Sequence, residues 1–176
     1  MVMGKIGYDL AQVKAIAFDV DGVLSPSTIP LGADGVPCRM VNIKDGYALQ
    51  HAVKHGLKIA IISGAKTEPV EIRFRALGVQ DIFMGSKVKL PVFEQWLAKY
   101  DLSPAEVIFV GDDVPDIPVM EKAGLSVAPA DACSEVKQIA GYVSPHDGGH
   151  GVAREVIEQV MKAHGTWMDD VHAFGW

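Results

Sequence analysis

Short apolar blocks rich in Val, Ile and Phe recur at 15–20, 57–62, 81–84, 107–110, 125–128 and 142–144. Each is too short for a helix and lacks strict alternation, the pattern of a strand buried on both faces. Between most of them apolar positions return at helical spacing, which predicts helices over 45–55, 68–77, 89–100, 115–123, 134–140 and 151–163. Three of these run into Gly56, Gly78 and Gly124, where a left-handed residue would close the helix. Ser103-Pro104-Ala105-Glu106 carries a helix-start signature, used here for a single turn before the next strand. Alternation of this kind predicts an α/β fold, a parallel sheet covered by helices on both faces, with ligands at the carboxyl ends of the strands. The 176 residues fit one domain, 1–176.

Two stretches break the alternation. From about 23 to 44 there is no helical period, and Ala33-Asp34-Gly35 separates extended-looking segments around 29–31 and 38–43. Asp-Gly at that place predicts a β-hairpin, a flap hanging over the strand ends after the first strand. The C-terminal tail, about 166–176, carries three aromatics and no clear element.

Composition narrows the function classes. With 49% apolar residues spread in blocks, the chain packs a core and is not disordered. No apolar run approaches the roughly 18 residues of a membrane span, and the N-terminus lacks the order of a secretory signal, so a cytoplasmic protein is expected. Net charge is −6 without a basic run, which argues against nucleic acid. Cys38 and Cys133 lack disulfide or zinc spacing and read as free thiols.

The chemistry concentrates where strands end. Phe18-Asp19-Val20-Asp21-Gly22 follows the first apolar block, so two carboxylates spaced by two project from one side before the chain turns at a glycine. Gly111-Asp112-Asp113 and Asp116 repeat the arrangement after 107–110. Asp112 or Asp113 singly would read as a helix cap, but so many carboxylates at one edge cannot all ionise without a cation. Oxygen ligands suit a hard ion such as magnesium, which keeps waters and takes a substrate phosphate. Ser63-Gly64 after 57–62 and Lys89 at a helix start add a hydroxyl, a backbone amide and an ammonium, a set matched to phosphoryl oxygens.

These four pieces, in this order, resemble the four motifs of the haloacid dehalogenase superfamily, over a span from about Lys14 to the end of the last helix. The resemblance implies a Rossmann-like sheet and Mg2+-dependent phosphoryl transfer. In it Asp19 is the nucleophile, Asp21 the general acid and base, and Ser63, Gly64 and Lys89 bind the phosphoryl group. Magnesium would be held by Asp19, the backbone carbonyl of Asp21, and Asp112, with Asp113 and Asp116 supporting. No segment has room for the cap domain that most of that superfamily inserts.

Among capless members the chain is similar to the 3-deoxy-D-manno-octulosonate 8-phosphate phosphatases of lipopolysaccharide precursor synthesis. The likeness rests on Phe18–Ser25, Asn42–Tyr47, Lys89-Leu90, Gly111–Met120 and Gly148-Gly149-His150-Gly151 leading into Val152–Glu155. It implies a small phosphorylated sugar acid as substrate and a homotetramer with sites at subunit interfaces. Lys44 and Arg73 are candidates for the sugar-acid carboxylate. The chain departs from that family in having Ala65 and His150 where arginine is common, while Lys66-Thr67-Glu68 resembles a phosphatase of a nine-carbon 2-keto-3-deoxy sugar acid 9-phosphate. Two other readings stay open: an open site acting on a phosphorylated macromolecule, and a non-catalytic module serving oligomerisation.

Overall fold

The computed structural model describes residues 6–169 and 171–175. Six strands form one sheet: β1 Ala15–Phe18, β2 Lys58–Ser63, β3 Asp81–Met84, β4 Val107–Val110, β5 Leu125–Ala128 and β6 Tyr142–Val143. The spatial order is β3-β2-β1-β4-β5-β6 and every pairing is parallel. The chain therefore winds outward from β1 to β3, crosses back to β4 on the other side of β1, and continues to β6. That reversal between β1 and β4 opens a crevice at the carboxyl ends of the strands.

Among the described residues six α-helices cover the sheet: α1 Ile43–Lys54, α2 Glu68–Ala76, α3 Leu90–Lys99, α4 Ile117–Lys122, α5 Ser134–Ile139 and α6 Val152–Ala163. Alternation along β1 splits the core in two. Ile16 and Phe18 join Leu49 of α1, Phe74 of α2 and Val156 of α6 on one face. Ala15 and Ala17 join Phe93 and Trp96 of α3, Met120 of α4 and Val136 of α5 on the other. Small strand residues leave room for the large α3 rings, the complementarity that close packing demands.

The strands and helices fall where the pattern predicts them, with two differences. Gly56 and Gly78 close α1 and α2 with φ of 84° and 89°, but Gly124 has no positive φ. It is there for space, since a Cβ would lie 2.5 Å from the Tyr8 hydroxyl and 2.6 Å from Ala105 Cα. The second is the flap. It forms no strands, only a loop pinched by one bridge, Leu31 to Pro37, and by hydrogen bonds from Gly32 N to Val36 O (2.8 Å) and Cys38 N to Pro30 O (2.8 Å). Pro30, opposite Cys38, lacks the N–H that would return the Cys38 hydrogen bond and carry the ladder on. Apart from this loop and the short turns, the described residues carry nothing between β1 and α1, and only α3 and the Pro104–Glu106 turn between β3 and β4, so there is no cap.

The tail forms a 3-10 turn at Val171–Phe174. Trp167 sets its ring edge-on to Tyr47 and His51 of α1, and the Tyr47 hydroxyl donates to the Ala173 carbonyl. Trp176 lies outside the described residues.

Candidate active site

Strand register brings the sequence motifs together. Phe18 pairs with Val110, so Asp19 emerges beside Gly111 with Asp112 one residue further; Phe18 also pairs with Ile61, so Ser63 ends the neighbouring strand. Lys89, at the N-cap of α3 after β3, reaches in from the same edge. The result is a cavity of about 480 Å³ whose lining includes Asp19, Asp21, Ser63, Gly64, Lys89 and Asp112. A larger cavity of about 660 Å³ lies at the amino ends of the strands around Lys14 and Lys58, and no carboxylate of the described residues lines it.

At the centre, Lys89 Nζ stands 2.6 Å from Asp116 Oδ1 and 2.9 Å from Asp19 Oδ1, with all three side chains buried. The second oxygen of Asp116 accepts from the backbone N–H of Asp112 at 3.0 Å and of Asp113 at 3.4 Å. Asp116 thus ties the β4 loop to Lys89, and Asp113 caps the turn that follows by accepting from Val114 N. The contact between Lys89 and Asp19 has ion-pair distance without hydrogen-bond alignment, and Asp19 Oδ1 has no other partner among the described residues.

Two close approaches explain glycines of the motifs. A Cβ on Gly22 would sit 1.9 Å from Asp112 Oδ2, so only glycine lets that carboxylate come up to the turn after Asp21. A Cβ on Gly148 would sit 1.9 Å from Gly22 O, while Gly149 N donates to Val23 O at 2.8 Å. The glycine-rich segment before α6 is thereby a buttress for the turn after Asp21. Asp45 of α1 secures that segment from the far side by accepting from Arg154 N, in place of the cap that Gly151 cannot supply.

Burial, with the charge of Asp116 next, pushes Asp19 up to about 7, and burial with the charges of Asp19 and Asp116 pushes Asp112 up to about 8. Burial would lower Lys89, but the two carboxylates outweigh it and hold the ammonium above its ordinary range. One lysine does not balance these acids. Oxygens of Asp19, Asp112 and Asp116 lie within 4.8 Å of one another. A buried carboxylate oxygen without a hydrogen bond, raised carboxyl groups and an all-oxygen donor set fit a hard divalent cation. Asp19 and Asp112 are the pair open to it, because Asp116 is already committed to Lys89 and two amides.

Asp19, Asp21, Ser63, Gly64, Lys89, Asp112, Asp113 and Asp116 all gather at this edge. Lys44 and Arg73 do not. Lys44, in the first turn of α1, lines a separate cavity with His146, His150 and Arg154, and the Arg73 guanidinium lies over Gly46, between α2 and α1. Three site residues escaped the sequence reading. Ser86 and Lys87 line the cavity after β3, where their position at a strand end was a usable signal. Arg39 of the flap donates from Nε and Nη2 to both oxygens of Asp21 at 2.8 Å, a contact across 18 residues that no local pattern announces.

Comparison with known proteins agrees with this geometry. A family model for haloacid dehalogenase-like hydrolases matches residues 78–156. The 3-deoxy-D-manno-octulosonate 8-phosphate phosphatase of Escherichia coli K12 is 40% identical over 154 residues, spanning 88% of this chain and 82% of the enzyme. The structure of the Yersinia pestis phosphatase of the same name superposes with a TM-score of 0.86 at 34% identity, covering 90% of this chain and 85% of that one. That of the Moraxella catarrhalis phosphatase, solved with magnesium, phosphate and its sugar acid, has a TM-score of 0.88 at 28% identity, covering 95% and 96%. Since likeness of this degree runs through nearly the whole fold, the chain belongs to the haloacid dehalogenase-like hydrolases, in the family of 3-deoxy-D-manno-octulosonate 8-phosphate phosphatases.

Proposed function

We propose that this protein is a Mg2+-dependent phosphomonoesterase that releases phosphate from 3-deoxy-D-manno-octulosonate 8-phosphate through an aspartyl-phosphate on Asp19. The observation that carries the reading is the buried group in which one ammonium, Lys89, touches the Asp19 oxygen while Asp112 stands at the same opening. The same ammonium that meets Asp19 Oδ1 would meet a phosphoryl group transferred to it. Further support is the activity in the names of relatives 35–40% identical over most of their length.

In this reading Asp19 attacks phosphorus, and Asp21 gives a proton to the sugar oxygen that leaves. Asp21 then takes a proton from the water that splits the aspartyl-phosphate. Ser63, the amide of Gly64 and Lys89 spread positive charge over the phosphoryl oxygens as the transition state forms. Asp19, the Asp21 carbonyl and Asp112 would hold the magnesium, whose charge offsets that of the phosphoryl oxygens. Lys44 and Arg73, the candidates for the sugar-acid carboxylate, do not line the cleft of their own chain, so in this proposal they would act only across a subunit interface.

The whole chain, 1–176, works in this proposal as one catalytic domain in a cytoplasmic homotetramer. Leu31 (69%), Met40 and Val41 of the flap and Ile43 (58%) at the start of α1 stand exposed, apolar side chains that association would cover. No described helix is long and apolar enough to cross a membrane. A nine-carbon 9-phosphate is the competing substrate, favoured by one observation: Ala65 lines the cleft without offering a cation, and Lys66 lies in the adjoining cavity beside Arg39. The test is phosphate release, with magnesium or chelator, from eight- and nine-carbon 2-keto-3-deoxy sugar acid phosphates, hexose phosphates and a phosphopeptide. Higher kcat/KM for the eight-carbon acid, abolished by chelator, is expected. Preference for the nine-carbon acid replaces the substrate, and activity on none of the sugar acids overturns the proposal.

A further inference from the structure

The flap and the turn after Asp21 are bolted together at consecutive residues. Arg39 donates from Nε to Asp21 Oδ1 and from Nη2 to Asp21 Oδ2, both at 2.8 Å, while its Nη1 reaches Pro37 O at 3.3 Å. Met40 N donates to the buried Ser25 Oγ at 3.1 Å. The Arg39 side chain is only 9% exposed although its loop is among the most exposed parts of the chain, whereas the Asp21 side chain is 42% exposed. An arginine hidden under a solvated loop needs a fixed partner. Its fork matches a carboxylate in two places at once, which fixes the plane of the carboxyl group as well as its position.

Without that fork little would hold Asp21. The hydrogen bonds found for its carboxylate among the described residues come from Arg39 alone, and a half-exposed aspartate otherwise samples several rotamers. A group that must pass a proton to a leaving oxygen gains from starting in line with it. We propose that Arg39 is the positioning residue of Asp21, holding the carboxyl group at the cleft in the orientation that proton transfer needs; this rests on the general acid and base role given to Asp21 above.

The steps balance. As Asp19 bonds to phosphorus and the bond from phosphorus to the sugar oxygen breaks, the proton on Asp21 passes to that oxygen. Water then bonds to phosphorus, its proton returns to Asp21, and the bond from phosphorus to Asp19 breaks. When Asp21 carries the proton one arm of the fork is released and the other keeps the carboxyl in place.

The role has a signature that a flap anchor lacks. kcat/KM covers only the steps up to loss of the leaving group, and a nitrophenolate needs no proton to leave whereas a sugar alkoxide does. With Arg39→Met, kcat/KM should fall roughly 10- to 100-fold on the sugar acid phosphate, near the low end of what general acids contribute, and less than about threefold on p-nitrophenyl phosphate. Arg39→Lys, which keeps the charge but not the fork, should show the same contrast at smaller size, and it carries the test if Arg39→Met does not fold. In an Asp21→Asn background Arg39→Met should cause no further loss. Equal losses on both esters, no loss on either, a gain, or an added loss in the Asp21→Asn background would each overturn the proposal. Wild-type protein that cleaves neither ester would instead count against the phosphatase reading.

Discussion

Removing Lys89 tests whether the buried acids are held together as the structure describes. The Lys89 ammonium, 6% exposed, is in ion-pair contact with two buried carboxylates at 2.6 and 2.9 Å. Arg39 and the other described cations sit outside this group. Lys89→Met therefore leaves Asp19, Asp112 and Asp116 with no cation when metal is absent, and breaking a buried pair from one side costs about 3–5 kcal/mol. The chain has one relief, which is to bind an extra proton in the folded state. Folding then falls with rising pH relative to wild type by up to about 1.4 kcal/mol per unit for one extra proton. We expect the deficit, from urea denaturation in chelator followed by the fluorescence of buried Trp96, to be about 3–5 kcal/mol at pH 8 and clearly smaller at pH 6. Saturating magnesium should shrink it. A deficit under about 1 kcal/mol at pH 8, or one that is flat in pH, would refute the idea that Lys89 offsets these charges.

Further outcomes follow from the same site. Asp19 and Asp112 hold protons to about 7 and about 8, against an ordinary 3.8. The folded chain thus carries more protons than the unfolded one across that interval, so metal-free stability should fall as pH rises from about 4 to 8 and level off above it. For the same reason magnesium binding at pH 7 should release about one proton and at pH 9 almost none, read by calorimetry in buffers of differing ionisation heat; release independent of pH would contradict it. Gly22→Ala puts a Cβ on Asp112 Oδ2 and should weaken magnesium binding about 10- to 100-fold, as disturbed ligand support does elsewhere; unchanged affinity would remove Asp112 from the metal site. Glu155→Ala leaves the buried Ser144 hydroxyl, now donating to it at 2.5 Å, without that acceptor, and should cost about 1–3 kcal/mol in thermal or urea unfolding with kcat nearly intact.

What the sequence made legible, and what it did not, divides along the range of the interactions. β1, β4 and their aspartates were readable because each signal is local: an apolar block, a turn residue, an acid at the block's end. Their convergence needed only the rule that ligands gather at the carboxyl ends of a parallel sheet, and the Phe18 to Val110 register fulfils it. The flap departs from the expected hairpin because Asp34-Gly35 is a true turn signal, yet Pro30 withholds the donor that would carry the ladder past Cys38. Gly124 misled in the opposite way, since a glycine needed for close packing against Tyr8 and Ala105 looks the same in sequence as one needed for positive φ. Lys44 and Arg73 offer positive charge, but their places on α1 and α2, away from this chain's own cleft, depend on packing that no local pattern shows. Arg39 gives no local signal, because its contact is with a partner 18 residues away.

The central claim is that the phosphoryl group passes through Asp19, and trapping it there is the most direct test. Protein mixed with the eight-carbon sugar acid phosphate and magnesium would be quenched with borohydride, which reduces an aspartyl-phosphate to homoserine, then digested and read by mass spectrometry. The account predicts homoserine at position 19, dependent on substrate and absent from Asp19→Asn. Steady phosphate release with Asp19 unmodified, or with the label on another residue, would contradict it.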